Sequence, residues 1–71
     1  MTRRHVLTAR QQMILDHVNQ FGSAQIKDLA VSLGVSEATV RRDFDEMATA
    51  GLVERVHGGI VKASGTAFER L

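Results

Sequence analysis

The sequence predicts a mainly α domain with a small β element: three helices followed by a C-terminal β-hairpin. Three observations predict it. Apolar residues recur at helical spacing in three successive segments. Each segment runs into a glycine, and beyond the last one the pattern changes to short β-branched runs around a Gly-Gly pair. The 71 residues, 44% of them hydrophobic, suit one small domain. At that size only about 60% of the unfolded surface is buried on folding, so the core has to be compact and aliphatic.

The first helix is expected over residues 9–20. Thr8 is a capping residue with Gln11 three positions on, the capping-box spacing. Leu7, Ile14, Val18 and Phe21 share one face with Leu15 beside it, and Gly22 suits the left-handed residue that closes a helix. The second helix is shorter, with Ile26, Leu29, Ala30 and Leu33 at i, i+3, i+4 and i+7 and Gly34 as its stop. Its start is weakly marked, because Gln25 is a poorer cap than Ser, Thr, Asp or Asn. Ser36 is a better cap for the third helix, expected over residues 37–50, with Val40, Phe44 and Met47 as its apolar stripe and Gly51 at its end. Beyond it, "LVERV" and "IVKA" flank "HGG", where positive φ is open to both glycines. A hairpin alone is marginal, so it should lean on the helices as a wing. The short Gly-containing turn "GVS" joins two helices as in a helix-turn-helix. The fold is therefore a winged helix-turn-helix over residues 8–63, with the helix-turn-helix at about 24–43. A basic arm precedes it at 1–7, and 64–71 reads as the start of a linker.

Composition narrows the function. The chain has no cysteine, Trp or Tyr. It therefore has neither disulfides nor thiolate zinc ligands, and its three Phe cannot both fill a core and stack on single-stranded nucleic acid. No apolar run approaches the roughly 20 residues of a membrane span, and the charged start lacks the apolar stretch of a signal peptide, which favours a cytoplasmic location. Net charge is only +1, but it is unevenly spread. Arg3, Arg4 and Arg10 lie in an acid-free start, and a flexible basic arm suits phosphate backbones.

At 100° per residue with Val40 at the centre of the buried face, Ala38, Arg42, Asp45 and Thr49 of the third helix point away, and Thr39 and Arg41 lie on opposite flanks. Ser36, Glu37, Ala38 and Thr39 make up the first turn, the part of a recognition helix that enters a major groove. Small Ala38 and Thr39 permit close approach. An arginine can grip guanine O6 and N7, or a phosphate, with two hydrogen bonds. The bland alternative is a solvated charged face laced by Glu37–Arg41, Arg41–Asp45 and Arg42–Glu46 pairs, each worth a few tenths of a kcal/mol. Asp43 falls at the edge of the buried face, where pairing with a basic group such as Arg10 and exposure to solvent are both open.

These residues carry a resemblance. "VSEATVRRDFDEMATAGLVERVHGG" is similar to the N-terminal winged helix-turn-helix of the DeoR family of bacterial transcriptional regulators, whose pattern is V-S-x-x-T-[IV]-R-R-D-L followed by G-x-x-x-R-x-H-G-G-A. The matching positions are Val35, Ser36, Thr39, Val40, Arg41, Arg42 and Asp43, then Gly51, Arg55, His57, Gly58 and Gly59. Phe44, Ile60 and Gln25 depart from the usual Leu, Ala and Ser or Thr. The resemblance implies a repressor domain for a carbohydrate operon, with Ser36, Thr39, Arg41 and Arg42 in the major groove of double-stranded operator DNA. Arg55 and His57 would meet phosphates, and Gly58 and Gly59 would let the main chain approach. It also implies a homo-oligomer whose phosphorylated-sugar effector binds a C-terminal domain that this chain is too short to hold. No cofactor is implied.

Two rival classes are weaker. A winged-helix module that binds protein would present an apolar stripe on the outer face of the third helix, where this sequence has small or charged residues. An enzyme would need convergent chemistry, and His5, His17 and His57 are isolated in three segments without metal-ligand spacing.

Overall fold

The computed structural model describes residues 7–63. Its elements run α1 (Ala9–Phe21), β1 (Ser23–Gln25), α2 (Ile26–Leu33), α3 (Glu37–Thr49), β2 (Val53–Val56) and β3 (Gly59–Lys62). This is the expected winged helix-turn-helix, with one strand that the sequence pattern did not reveal. The basic arm with Arg3 and Arg4 and the tail from residue 64 lie outside the described residues.

Each helix starts and stops for a local reason. Thr8 and Gln11 cap α1 reciprocally: the Gln11 N–H donates to Thr8 Oγ1 at 3.0 Å, and the Thr8 N–H donates to Gln11 Oε1 at 3.2 Å. Ser36 Oγ accepts the Thr39 N–H at 3.1 Å at the head of α3. Gln25 makes no side-chain cap bond for α2. It is instead the last residue of β1, and its extended backbone serves strand and helix entry alike. α1 runs one residue further than expected and α3 stops one residue earlier, at Thr49, with Ala50 as its cap and the left-handed turn taken by Gly51 at φ 81°.

The sheet order is β1-β3-β2, all antiparallel, with Ala24 opposite Ile60 and Arg55 opposite Ile60 on the other side. β3 is therefore the central strand, and the wing is stitched into the helical body through β1. A two-residue turn, His57 and Gly58, connects β2 to β3. Of the two glycines to which positive φ is open, Gly58 uses it, at 77°. Gly59 is buried in β3 opposite Gln25, and a Cβ built there would sit 2.2 Å from the Ala24 carbonyl oxygen. Its missing side chain is a requirement of strand packing.

Ile14, Val18, Val40, Phe44, Met47 and Ile60 are completely buried, joining α1, α3 and the central strand in one core. Ala24, Ile26, Leu29, Ala30 and Val53 close it. At roughly 25 cal/mol per Å² of apolar area, these side chains are the main stabilising contribution. Phe21, expected on the same face, is 64% exposed. It is the last residue of α1, with its ring 4.8 Å from that of His17.

Candidate nucleic-acid interface

The adjacent Arg41, Arg42 and Asp43 divide sharply. Asp43 is 2% exposed and is gripped from α1 by both Nε and Nη2 of Arg10, one oxygen to each, the second at 3.1 Å. Gln11 completes the site: its Nε2 donates to Asp43 Oδ1 at 3.2 Å and to Glu46 Oε1 at 2.8 Å, while its Oε1 is used in the cap of α1. Of the two alternatives left open for Asp43, burial and pairing with Arg10 is the one that occurs. Hydrogen bonding to Asp43 raises the pKa of Arg10, so the guanidinium is held more firmly in its charged form. No described buried side-chain polar atom lacks a partner, as a stable polar lock requires.

Two of the three acids that the helical spacing offered to the arginines, Asp45 and Glu46, are taken by other elements. Asp45 is bonded by Arg55 Nη1 from β2, and the Arg55 guanidinium also lies 5.8 Å from the centre of the Phe44 ring. Glu46 accepts from Gln11. Arg41 keeps its partner one turn back, Glu37, at 3.6 Å in an exposed i, i+4 pair. Arg42 is exposed on the opposite side of α3 from Val40, and among the described residues it has no carboxylate partner. Decoration by neighbouring acids therefore does not account for it.

Ser36, Glu37 and Ala38 are exposed at the head of α3 and Thr39 is half-buried on its flank. With Arg41 and Arg42 they form a polar face about two turns long. Below it the helix sinks into the core through Phe44 and Met47. The wing turn meets this face from one side, where His57 and Gly58 share a cleft of about 340 Å³ with Glu37, Arg41, Gln25, Ile26 and Lys27. Lys27 was not singled out in the sequence. It is an isolated cation on a short helix, and only the close approach of α2, α3 and the turn gives it company. Arg55 does not join this cleft, since its side chain is drawn onto α3 by Asp45. Gly59 is buried and does not reach the surface. Among the described residues no cluster of acids and histidines could hold a metal ion, and no helix is long and apolar enough to cross a membrane.

A helix-turn-helix whose second helix raises an arginine-bearing face beside a β wing defines the DNA-binding part of a transcription regulator. The family model of the DeoR-like helix-turn-helix domain matches residues 10–66, and the chain belongs to that family. It is 44% identical over 52 residues to the L-fucose operon activator of Haemophilus influenzae, which covers 73% of this chain and 21% of that protein. It is 40% identical over 53 residues to a putative galactitol utilization operon repressor of Escherichia coli, 75% of this chain and 47% of the relative. Against the lactose phosphotransferase system repressor of Lactococcus lactis it is 40% identical over 50 residues, 70% and 20%. The chain thus spans between a fifth and about half of the length of these relatives. No solved structure gives a significant match. The family is one of DNA-binding transcription regulators.

Proposed function

We propose that the first two turns of α3 enter the major groove of operator DNA, with Arg42 reading a base edge and Ser36, Glu37, Ala38, Thr39 and Arg41 around it. His57 and Gly58 of the wing lie against the backbone, and Arg3 and Arg4 belong to an arm that follows it. The observation that carries this reading is the outward Arg42, without a carboxylate partner among the described residues, on a helix whose other half is locked into the core. Arg55 serves by holding β2 to α3, and Gly59 by letting β1 and β3 close. The regulated genes are those of a carbohydrate operon and the effect is repression, a reading supported by relatives named for galactitol and lactose systems. The fucose relative is named an activator. In the whole protein, a phosphorylated sugar acts as effector and the protein works as a homo-oligomer in the cytoplasm, functions that belong to segments other than this domain.

Selection of the 71-residue chain against a random duplex pool tests the reading. An enriched motif is expected, and Arg42→Ala should cost roughly 1–3 kcal/mol and relax preference at one base pair. A loss uniform across sequences would make Arg42 a phosphate contact. Absence of binding at any salt would discard DNA recognition by this domain and favour a protein partner.

A further inference from the structure

The cleft beneath the wing turn joins three elements that are far apart in sequence: the start of α2 with Lys27, the head of α3 with Glu37 and Arg41, and the turn with His57 and Gly58. Its walls are fixed. The Ile26 N–H donates to the Gly58 carbonyl at 3.0 Å, and Gln25 pairs with Gly59 in the sheet, so the turn cannot swing away from α2 without breaking backbone bonds. The polar lining holds two cations, Lys27 and Arg41, beside Gln25 and His57, and its one carboxylate, Glu37, is engaged by Arg41. Lys27 and His57 are both exposed and have no ion-pair partner among the described residues. A lysine ammonium and an imidazole N–H in a preformed cleft of about 340 Å³ suit a tetrahedral oxyanion.

We infer that this cleft seats one backbone phosphate of duplex DNA between Lys27 and His57, so that a single phosphate ties the wing to the recognition helix. The inference rests on the DNA reading above and adds a contact residue, Lys27, that the motif does not contain. The placement follows from groove geometry. With the head of α3 in a major groove about 12 Å wide, the flank that carries Arg41 faces the phosphates at the groove edge. A contact there fixes orientation and carries no sequence information.

The test uses the 71-residue chain, a selected duplex and the variants Lys27→Gln, Lys27→Arg and His57→Gln. Lys27 is exposed, and circular dichroism checks that each variant is folded. Lys27→Gln should reduce the slope of log affinity against log salt by about 0.9, the signature of one lost phosphate contact, with the order of preference among duplexes kept. Lys27→Arg should restore the slope. Duplexes in which one phosphate at a time is replaced by neutral methylphosphonate should reveal a groove-edge position that weakens the wild type several-fold and leaves Lys27→Gln unaffected. An unchanged slope, with every methylphosphonate acting equally on both proteins, would overturn the inference; a concurrent loss of base preference in Arg42→Ala would leave the DNA reading standing. Altered base preference in Lys27→Gln would also overturn it, by placing Lys27 on a base. If inorganic phosphate shifts the NMR signals of Lys27 and His57 while the salt slope for DNA is indifferent to both, the seat belongs to free phosphate and the DNA assignment falls. Failure of the wild type to bind DNA at any salt removes both the reading and the inference.

Discussion

The two halves of α3 are built to opposite specifications. From Ser36 to Arg42 the helix buries only Val40, and its polar groups face outward or pair loosely at the surface. From Asp43 to Met47 it places Asp43, Phe44 and Met47 in the interior, and Asp45 and Glu46 are bonded by side chains of other elements. One continuous helix thus serves as anchor at one end and probe at the other. Rigidity at the anchored end matters to the exposed end, because a side chain that reads a base edge must be held to within a fraction of an ångström.

Substitutions should separate the halves, and the largest effect belongs to the anchor. Phe44→Ala empties a fully buried site and should cost about 3–5 kcal/mol in urea denaturation, most of the stability of so small a domain. A smaller but still severe loss is expected for Asp43→Ala, which removes one of the two acceptors of the Gln11 amide and releases Arg10. Because the Arg10 side chain is 38% exposed, water compensates part of the loss, and roughly 2–3 kcal/mol is expected. Ser36→Ala removes the cap that accepts the Thr39 N–H and should lower stability by about 1 kcal/mol. At the bottom of the scale, Arg42→Ala should leave stability within about 0.5 kcal/mol of the parent while DNA binding weakens by roughly 1–3 kcal/mol. A thermal shift for Arg42→Ala as large as that for Ser36→Ala would blur the division and assign Arg42 to the fold.

The division is partly visible in the spacing of residues. Val40, Phe44 and Met47 fall on one face at 100° per residue, which suffices to turn Arg42 outward. Spacing also left open that Asp45 and Glu46 pair with the arginines, and the structure bonds both of them elsewhere. An exposed i, i+4 pair is worth only a few tenths of a kcal/mol, so a partner from another element easily displaces it. Arg55 across the wing and Gln11 across α1 did so. The same competition explains why Arg55, chemically suited to phosphate, bonds Asp45 here.

Local chemistry determined much of this protein from the sequence alone. Caps at Thr8 and Ser36, left-handed glycines at 22, 34 and 51, and the 3.6-residue period of the core face act within a few residues of themselves, so the helices are legible without the fold. The motif from Val35 to Gly59 likewise carried the family. Tertiary structure alone decided what depends on residues distant in the chain. β1 is three residues long, too short for any period to show, and exists because β3 supplies its hydrogen bonds. Gly59 has its reason in the Ala24 carbonyl thirty-five positions earlier. The freedom of Arg42 and the company of Lys27 follow from which side chains the folded elements bring together, and that depends on the meeting of surfaces rather than on the order of residues.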